Sequence, residues 1–287
     1  MKKIFVLILC FGLSVAAGAQ SMYFLNLPSD PARLATASTG EDNPALMFAT
    51  TPHLGARVSY GSWGAKNPSF EISARGNIVN RVALGIQYKT FGYDAYDVID
   101  NNGRATGTFK PSESDLGLKL GVNIAGGFSV GVGAHICTSK MAEDGVAKPF
   151  ALDASVAYCG EKLRASLGAC NLGGKYNYGA EEYSLPTLVR ADASYLFGPV
   201  RANAELDYLT SGAVMAGVGA DGSLLKDHLH IRAGFHYGDA AKSLPSYISA
   251  GLGCQFIGIT LDAAYLIGLG GRDGLGNTFR IALGYAF

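Results

Sequence analysis

The sequence lacks any apolar run, beyond its first 19 residues, that could cross a membrane as a helix. A membrane-spanning helix needs about 18 to 20 consecutive apolar residues, and no run after residue 19 approaches that length. If the mature chain crosses a membrane, strands must carry it across.

An excess of charge of one sign is also missing. Lys2 and Lys3 precede an apolar run and the small-residue pattern Ala17-Gly18-Ala19, so residues 1–19 are predicted to be a secretory signal peptide. Without this leader, 21 basic residues face 23 acidic residues, a net charge of −2. This balance gives no excess of positive charge that would attract nucleic acid, which is therefore not expected as a partner.

Cysteine is scarce and lacks the spacing of a metal site. The predicted mature chain holds four cysteines without a CxxC pair, at Cys137, Cys159, Cys170 and Cys254. An exported protein can form disulfides, but each of these residues stands where a small side chain would serve within a strand. Free thiols are the expected state, and no metal or other cofactor is predicted.

What the sequence has in abundance is glycine and two-residue alternation. Glycine accounts for 39 of 287 residues, about twice the usual roughly 7%. Fourteen segments alternate apolar and polar side chains, and each suits the roughly 9 to 11 residues of a tilted membrane strand. They span 54–63, 69–79, 81–91, 114–124, 127–138, 149–159, 162–171, 186–197, 200–210, 213–222, 227–238, 246–256, 258–268 and 277–287.

The apolar faces of these segments carry no charge. In the segment 114–124, for example, Leu116, Leu118, Leu120 and Ile124 share one face. A lysine or arginine in the middle of a lipid-facing surface costs about 2 to 4 kcal/mol, whereas a soluble sheet tolerates a stray charge. The sequence therefore predicts an all-β fold, a transmembrane antiparallel β-barrel of about 14 strands.

The connections between the segments also fit a barrel. Long and short links alternate along most of the chain, as they do between external loops and periplasmic turns of outer-membrane barrels. An even number of strands then puts both termini on the periplasmic side. We expect the protein in the outer membrane of a Gram-negative bacterium, in contact with its lipid.

The opposite faces of the segments carry charges of both signs, which would point into the lumen. Charged side chains there either line a polar passage or form an ion-pair lattice that stiffens the wall. The candidate lumen-facing residues are Arg57, Lys119, His135, Asp153, Arg164, Arg190, Asp192, Glu205, Arg232, Asp262 and Arg280.

Residues 20–53 precede the first strand and are too long and too apolar to form a free tail. We expect this segment to fold against or into the periplasmic mouth of the barrel. The predicted organisation is thus a signal peptide at 1–19, an N-terminal plug segment at 20–53 and an outer-membrane β-barrel at 54–287.

The plug segment also carries a family resemblance. The stretch "FLNLPSDPAR", followed by Asn43-Pro44-Ala45, resembles the start of the PorV/PorQ family, outer-membrane barrels related to the FadL-type fatty-acid channels. The likeness continues through "GTFKPSESDLGL", "ALDASVAY", "LPTLVRADASY" and "HLHIRAGFHYG", and the N-terminal stretch is nearer to PorQ. It implies a 14-stranded barrel with a plug that includes Asn43, Pro44 and Ala45, and a place in type IX protein secretion.

Three functions remain open at this point. The first is a non-enzymatic role in type IX secretion or in surface attachment of cargo, with protein partners in a secretion or attachment complex. The alternative is a FadL-type channel for hydrophobic small molecules such as fatty acids, with a hydrophobic ligand in the lumen. The third is an outer-membrane enzyme acting on lipid, but no catalytic constellation has a diagnostic spacing, so an enzyme is not predicted.

Short motifs do not change this interpretation. "GVGADG", at 217–222, matches GxGxxG, yet no helix follows it, so dinucleotide binding is not expected. "DVIDNNG" lacks the ligand spacing of a calcium loop and reads as a hairpin turn. His228, His230 and His236 share one face, without a serine or acid at catalytic spacing.

Overall fold

The computed structural model describes residues 22–38, 42–50, 54–64, 66–79, 81–100, 102–143, 145–178, 181–239, 243–269 and 275–286. The predicted signal peptide and the aromatic C-terminal residue lie outside this part of the chain. Within it, helices are short, and none has the length and apolar character required to span a membrane.

Fourteen antiparallel strands form one closed barrel. Each strand pairs with its neighbours in sequence, and the last pairs with the first, so the predicted fold class is confirmed and the predicted segments match the strands to within a few residues. The strands are β1 Leu54–Trp63, β2 Asn67–Val79, β3 Val82–Gly92, β4 Ser112–Ala125, β5 Phe128–Ala142, β6 Phe150–Cys159, β7 Leu163–Gly173, β8 Leu188–Phe197, β9 Val200–Leu209, β10 Val214–Leu224, β11 Leu229–Tyr237, β12 Tyr247–Phe256, β13 Ile259–Gly268 and β14 Thr278–Ala286.

The seam between β1 and β14 closes the barrel. Its register places Val58 opposite Leu283 and Ser59 opposite Ala282. Closure pairs the backbone groups that an open edge would expose to hydrocarbon, where no water could satisfy them.

The two faces of the wall differ as the alternation predicts. Leu118 and Leu283 are 58% and 57% exposed on the outside, whereas Ala282, next to Leu283, is 3% exposed and faces the interior. Aromatic side chains at outward positions, such as Tyr88 and Phe128, are exposed as well. The outside is apolar and the inside carries most of the charges.

The two ends of the barrel differ in their connections. At one end, called here the short-turn end, the links are 80–81, 126–127, 160–162, 198–199, 225–228 and 257–258, and β1 begins and β14 ends there. At the other, the long-loop end, they are 64–66, 93–111, 143–149, 174–187, 210–213, 238–246 and 269–277. The links 64–66 and 210–213 are shorter than a strict alternation would give.

Five short strands stiffen the long loops. Tyr96–Ile99 and Ala105–Phe109 form a hairpin, Gly145–Ala147 extends the pairing of β5, and Tyr176–Tyr178 pairs with Glu181–Tyr183. The four cysteines Cys137, Cys159, Cys170 and Cys254 are free.

Residues 22–38 and 42–50, the described residues before β1, fold inside the barrel and are called the plug below. They comprise 3-10 turns at Tyr23–Asn26 and Pro44–Leu46, and the helices α1 Pro31–Thr36 and α2 Met47–Thr50. Asp30 caps α1 by accepting a hydrogen bond from Ala32 N at 2.7 Å, and Pro31 occupies the first helical position, where its missing N–H is not needed.

The plug runs along the height of the lumen. Met22 and Phe24 pack with Trp63 and Phe91 near the long-loop end, whereas Met47 lies beside Gly85 near the short-turn end. We expected a segment at one mouth of the barrel. It instead reaches from one end of the lumen to the other, because its apolar residues find partners at both.

Candidate functional site

Glycines in the wall bring the plug backbone close to the strands. A Cβ atom on Gly217 or Gly219 of β10 would overlap the carbonyl oxygens of Ala37 and Thr36, and one on Gly234 would lie 2.7 Å from Ala37 N. The turn at 44–46 rests in the same way on Gly121 and Gly131. Part of the excess glycine therefore serves close packing between the plug and the wall.

Wall side chains also bond directly to plug carbonyls, which no helix or sheet satisfies. Each of these bonds pairs a buried backbone acceptor that would otherwise be costly in the lumen. The donors and acceptors are Ser59 to Ser29 O at 2.7 Å, Lys89 to Leu25 O at 3.1 Å, Ser129 to Ala45 O at 2.6 Å, Asn203 to Thr36 O at 3.0 Å and Ser249 to Ala35 O at 3.1 Å.

A chain of ion pairs ties α1 to the wall. Arg57 contacts Asp30 of the plug at 2.5 Å and Asp262 of β13 at 2.6 Å. Arg232 continues the chain from Asp262, at 2.5 Å, to Asp221, at 2.8 Å. Burial disfavours the charge on Asp30, but Arg57 and Arg33 outweigh it and lower the pKa of this carboxyl.

A second anchor holds the plug on the opposite side. Asp42 forms an ion pair with Arg33, also of the plug, and Lys119 of β4 reaches the Asp42 carbonyl oxygen at 3.0 Å and its carboxylate at 3.6 Å. Burial opposes ionisation of Asp42, yet Arg33 and Lys119 lower its pKa below the usual range. Lys119 also donates to Gln87 at 2.7 Å.

A buried imidazole lies between two carboxylates. His135 Nε2 is 2.7 Å from Asp153 and His135 Nδ1 is 3.2 Å from Asp115. Asp153 also accepts a hydrogen bond from Asn171 N at 2.8 Å. The three side chains bridge β4, β5 and β6 and act as a lateral tie in the wall.

The other predicted lumen residues lie in smaller groups. Arg190 binds Asp207 through two hydrogen bonds of 2.8 and 2.7 Å, with Glu205 at 3.5 Å. Ser166 donates to Asp192 and accepts from Asn43 at 2.7 Å. Arg164 lines a cavity of about 90 Å³ together with Asp192.

The Asn43-Pro44-Ala45 triplet forms a local cap. The Asn43 side chain accepts a hydrogen bond from Ala45 N at 2.9 Å and starts the turn Pro44–Leu46. Its amide nitrogen reaches Ser166 in the wall, so the triplet both shapes the plug and positions it.

One arginine and one glutamate of the lumen stand apart from these ion pairs. Arg280 donates to Ser69 at 2.5 Å and to Ser59 at 2.9 Å, both neutral acceptors. Glu71 is buried, and its Oε2 has no hydrogen-bond partner in the described part of the chain.

An apolar cluster closes the long-loop end and is called the mouth cluster below. It contains residues of the plug, the strands and the loops, so hydrophobic side chains from distant parts of the sequence pack together at this end of the lumen. Its members are Met22, Phe24, Trp63, Phe91, Tyr176, Leu185, Tyr247, Leu266 and Leu275.

The cavities inside the barrel are polar. One of about 260 Å³ lies between the plug and β1–β3 towards the short-turn end, lined by Asp30, Arg57, Glu71, Arg75 and Lys119 among others. A smaller one of about 60 Å³ lies deeper, against Lys89, His135 and Asn171. On the outer wall, Leu84, Leu118, Val132 and Leu152 border an apolar groove of about 770 Å³.

The structure thus brings together predicted residues that the sequence could not pair. Arg57, Asp262 and Arg232 form one network, Arg190 and Glu205 another, while Lys119 and His135 with Asp153 occupy the facing wall. Asp30, Arg33 and Asp42 of the plug were not singled out from the sequence. They could have been found in the sequence, because they are charged residues in an otherwise apolar segment that must be buried.

The fold matches outer-membrane channels of known structure. The toluene transporter TbuX of Ralstonia pickettii superposes with a TM-score of 0.63 at 12% identity, covering 90% of this chain and 98% of that one. A FadL homologue of Pseudomonas aeruginosa gives 0.61 at 12% identity, covering 95% and 99%. The monoaromatic hydrocarbon channel CymD gives 0.65 at 11% identity, covering 90% and 97%.

In sequence, no family model matches the chain and no curated protein is similar to it. The structural superpositions show that the chain has the fold of the FadL-like outer-membrane barrels. At these identities the likeness establishes the fold alone.

Proposed function

We propose that the protein is an outer-membrane channel for hydrophobic small molecules, with its short-turn end facing the periplasm. The observation that carries this proposal is the likeness to the toluene transporter and the hydrocarbon channel, which extends over nine-tenths or more of both chains. The proposal adopts the alternative drawn from the sequence rather than the secretion role.

The mouth cluster supplies the chemistry for this function. Phe24, Phe91 and Leu275 are buried together at the long-loop end, so a hydrophobic solute that leaves water there would enter among apolar side chains. The plug lies below this cluster inside the lumen, and we expect the solute to displace part of it in order to proceed.

The secretion role rests on the sequence resemblance alone. It requires protein partners that bind the loops or the mouth, and a different phenotype follows from it. Loss of a secretion component would impair surface display of cargo and leave uptake of hydrophobic solutes unchanged.

Uptake of radiolabelled oleate and toluene by a deletion strain tests the proposal. We expect slower uptake, restored by the wild-type gene and by Ile99→Asp, which changes an exposed loop residue. Leu275→Asp should not restore it, because a buried carboxylate would replace apolar surface in the mouth cluster. Unchanged uptake together with lost surface display of secreted proteins would favour the secretion role instead.

A further inference from the structure

Two buried side chains of opposite charge lie next to each other on adjacent strands of the wall but form no ion pair. Glu71 on β2 and Lys89 on β3 are direct partners in the strand register and are 7% and 8% exposed. Residues opposite each other in an antiparallel sheet have Cβ atoms about 4.5 to 5.5 Å apart, so these side chains can meet. In the described part of the chain, Glu71 Oε2 has no hydrogen-bond partner.

Lys89 contacts the plug instead of Glu71. Lys89 Nζ donates to Leu25 O at 3.1 Å and lies 5.7 Å above the ring of Phe24. Phe24 in turn packs against Phe91, with ring centroids 6.3 Å apart. Asp115 of β4 is the direct partner of Lys89 on its other side in the register, yet the hydrogen bond of the ammonium goes to the plug carbonyl, which compensates a buried charge less well than a carboxylate.

The other charges near the two residues make their hydrogen bonds elsewhere, and Arg280 in addition interacts electrostatically with Glu71 without a hydrogen bond between them. Arg280 donates to Ser59 and Ser69, Asp115 accepts from Gln87 and contacts His135, and Asp42 pairs with Arg33 and Lys119. The 260 Å³ cavity extends along β2 to Glu71. Lys89 lines the deeper cavity, so it stands between the polar interior and the mouth cluster.

We propose that Lys89 is the gating residue of this channel and exchanges partners when the plug moves. With the plug seated, Lys89 donates to Leu25 O and Glu71 Oε2 accepts no hydrogen bond. When residues 22–27 leave, Lys89 turns to Glu71, and the new ion pair offsets part of the contact energy lost with the plug. The proposal rests on the proposed channel function, since it assigns a residue that controls passage.

The exchange makes the plug a two-state element. Lys89 has a hydrogen-bond acceptor in each state, but Glu71 Oε2 accepts a hydrogen bond only in the displaced state. Removing the carboxylate therefore biases the protein towards the seated plug, provided that Lys89 is present to receive it.

Ion conductance tests this proposal without any hydrophobic solute. The full-length protein is inserted into planar bilayers of phosphatidylcholine and phosphatidylglycerol in KCl, and the fraction of time spent open is recorded for Glu71→Gln, Lys89→Met and the double variant. Glu71→Gln should lower that fraction by about fivefold when Lys89 is present. It should have no effect when methionine occupies position 89.

Glu113→Gln is the matched control. Glu113 is another buried lumen carboxylate, but it already accepts from Tyr93 at 2.6 Å and Ser139 at 3.0 Å, and its direct partner on β3 is Phe91 rather than Lys89. It should leave the open fraction unchanged, and correct assembly of each variant is checked by its heat-dependent migration on gels.

Three results would overturn the proposal. They are an unchanged open fraction in Glu71→Gln, an equal effect of Glu71→Gln with lysine or methionine at position 89, and a wild-type protein that never opens. If the deletion strain takes up oleate and toluene at the normal rate while the Glu71 effect persists, the proposed solutes are refuted and the exchange stands.

Discussion

At the scale of single residues, the position along a strand decides whether a side chain meets lipid or lumen. Ile72 and Ser73 are adjacent near the middle of β2, yet Ile72 is exposed on the apolar outside and Ser73 lines the 260 Å³ polar cavity. The same step separates Leu283 from Ala282 in β14, but Ala282 is tightly buried, so a larger side chain there has little room.

Lysine substitutions at the first pair measure this difference. Ile72→Lys should destabilise the barrel by about 2 to 4 kcal/mol, because it puts an ammonium into hydrocarbon. Ser73→Lys should cost much less, since its ammonium meets a polar cavity that also holds acidic groups. Urea unfolding in detergent or lipid vesicles gives both values, and equal costs at the two positions would contradict the assignment of faces.

At the scale of elements, the plug and the wall fit through glycine rather than through side-chain interdigitation. α1 packs against β10 to β14 and the turn Pro44–Leu46 packs against β4 to β6. Both contacts bring backbone against backbone, which no side chain larger than hydrogen would permit. A glycine in β10 thus belongs to the wall surface that contacts the plug, although in the sequence it is only one of many glycines in the strands.

Replacing a glycine that contacts the plug by alanine should displace the plug and leave the pairing of the barrel strands intact. Gly219→Ala adds a methyl group that overlaps Thr36 O, whereas Gly222→Ala on the same strand finds its nearest atom at 3.7 Å. We expect Gly219→Ala to raise KCl conductance and protease cleavage within residues 22–50, with unchanged gel migration. Gly222→Ala is the control, and an identical response of both variants would show that the wall glycines do not seat the plug.

At the scale of the whole molecule, plug and barrel are joined by two carboxylates of the plug. Asp30 and Asp42 both have a pKa below the usual value of 3.8, because burial is outweighed by Arg57 and Arg33 for one and by Arg33 and Lys119 for the other. A lowered pKa means that the stabilisation is complete above about pH 4 and is lost as the pH falls through the folded-state pKa.

The seated plug should therefore persist from neutral pH to about pH 4 and be released only in stronger acid. KCl conductance recorded as a function of pH would show this as a rise in the open fraction below pH 4. Asp30→Asn should raise conductance already at neutral pH, while Asp97→Asn, in the hairpin at the long-loop end, should not. Release of the wild-type plug between pH 5 and 7 would show that other groups hold it.

The sequence by itself determined the number of strands, their two faces and the need to bury the N-terminal segment. These properties follow from alternation with a period of two and from the cost of charge in lipid, both of which are local along the chain. The same local information located the lumen-facing charges, and it indicated from the apolar residues before β1 that a plug exists.

Only the tertiary structure decided which charges pair and where the plug lies. Arg57 and Asp262 are 205 positions apart in sequence and meet because β14 closes on β1, and Lys119 finds Asp42 across 77 positions. Glu71 and Lys89 face each other in the register, and yet Lys89 donates its hydrogen bond to the plug. Pairing in a lumen depends on barrel closure and on what fills the barrel, and neither is a local property of the chain.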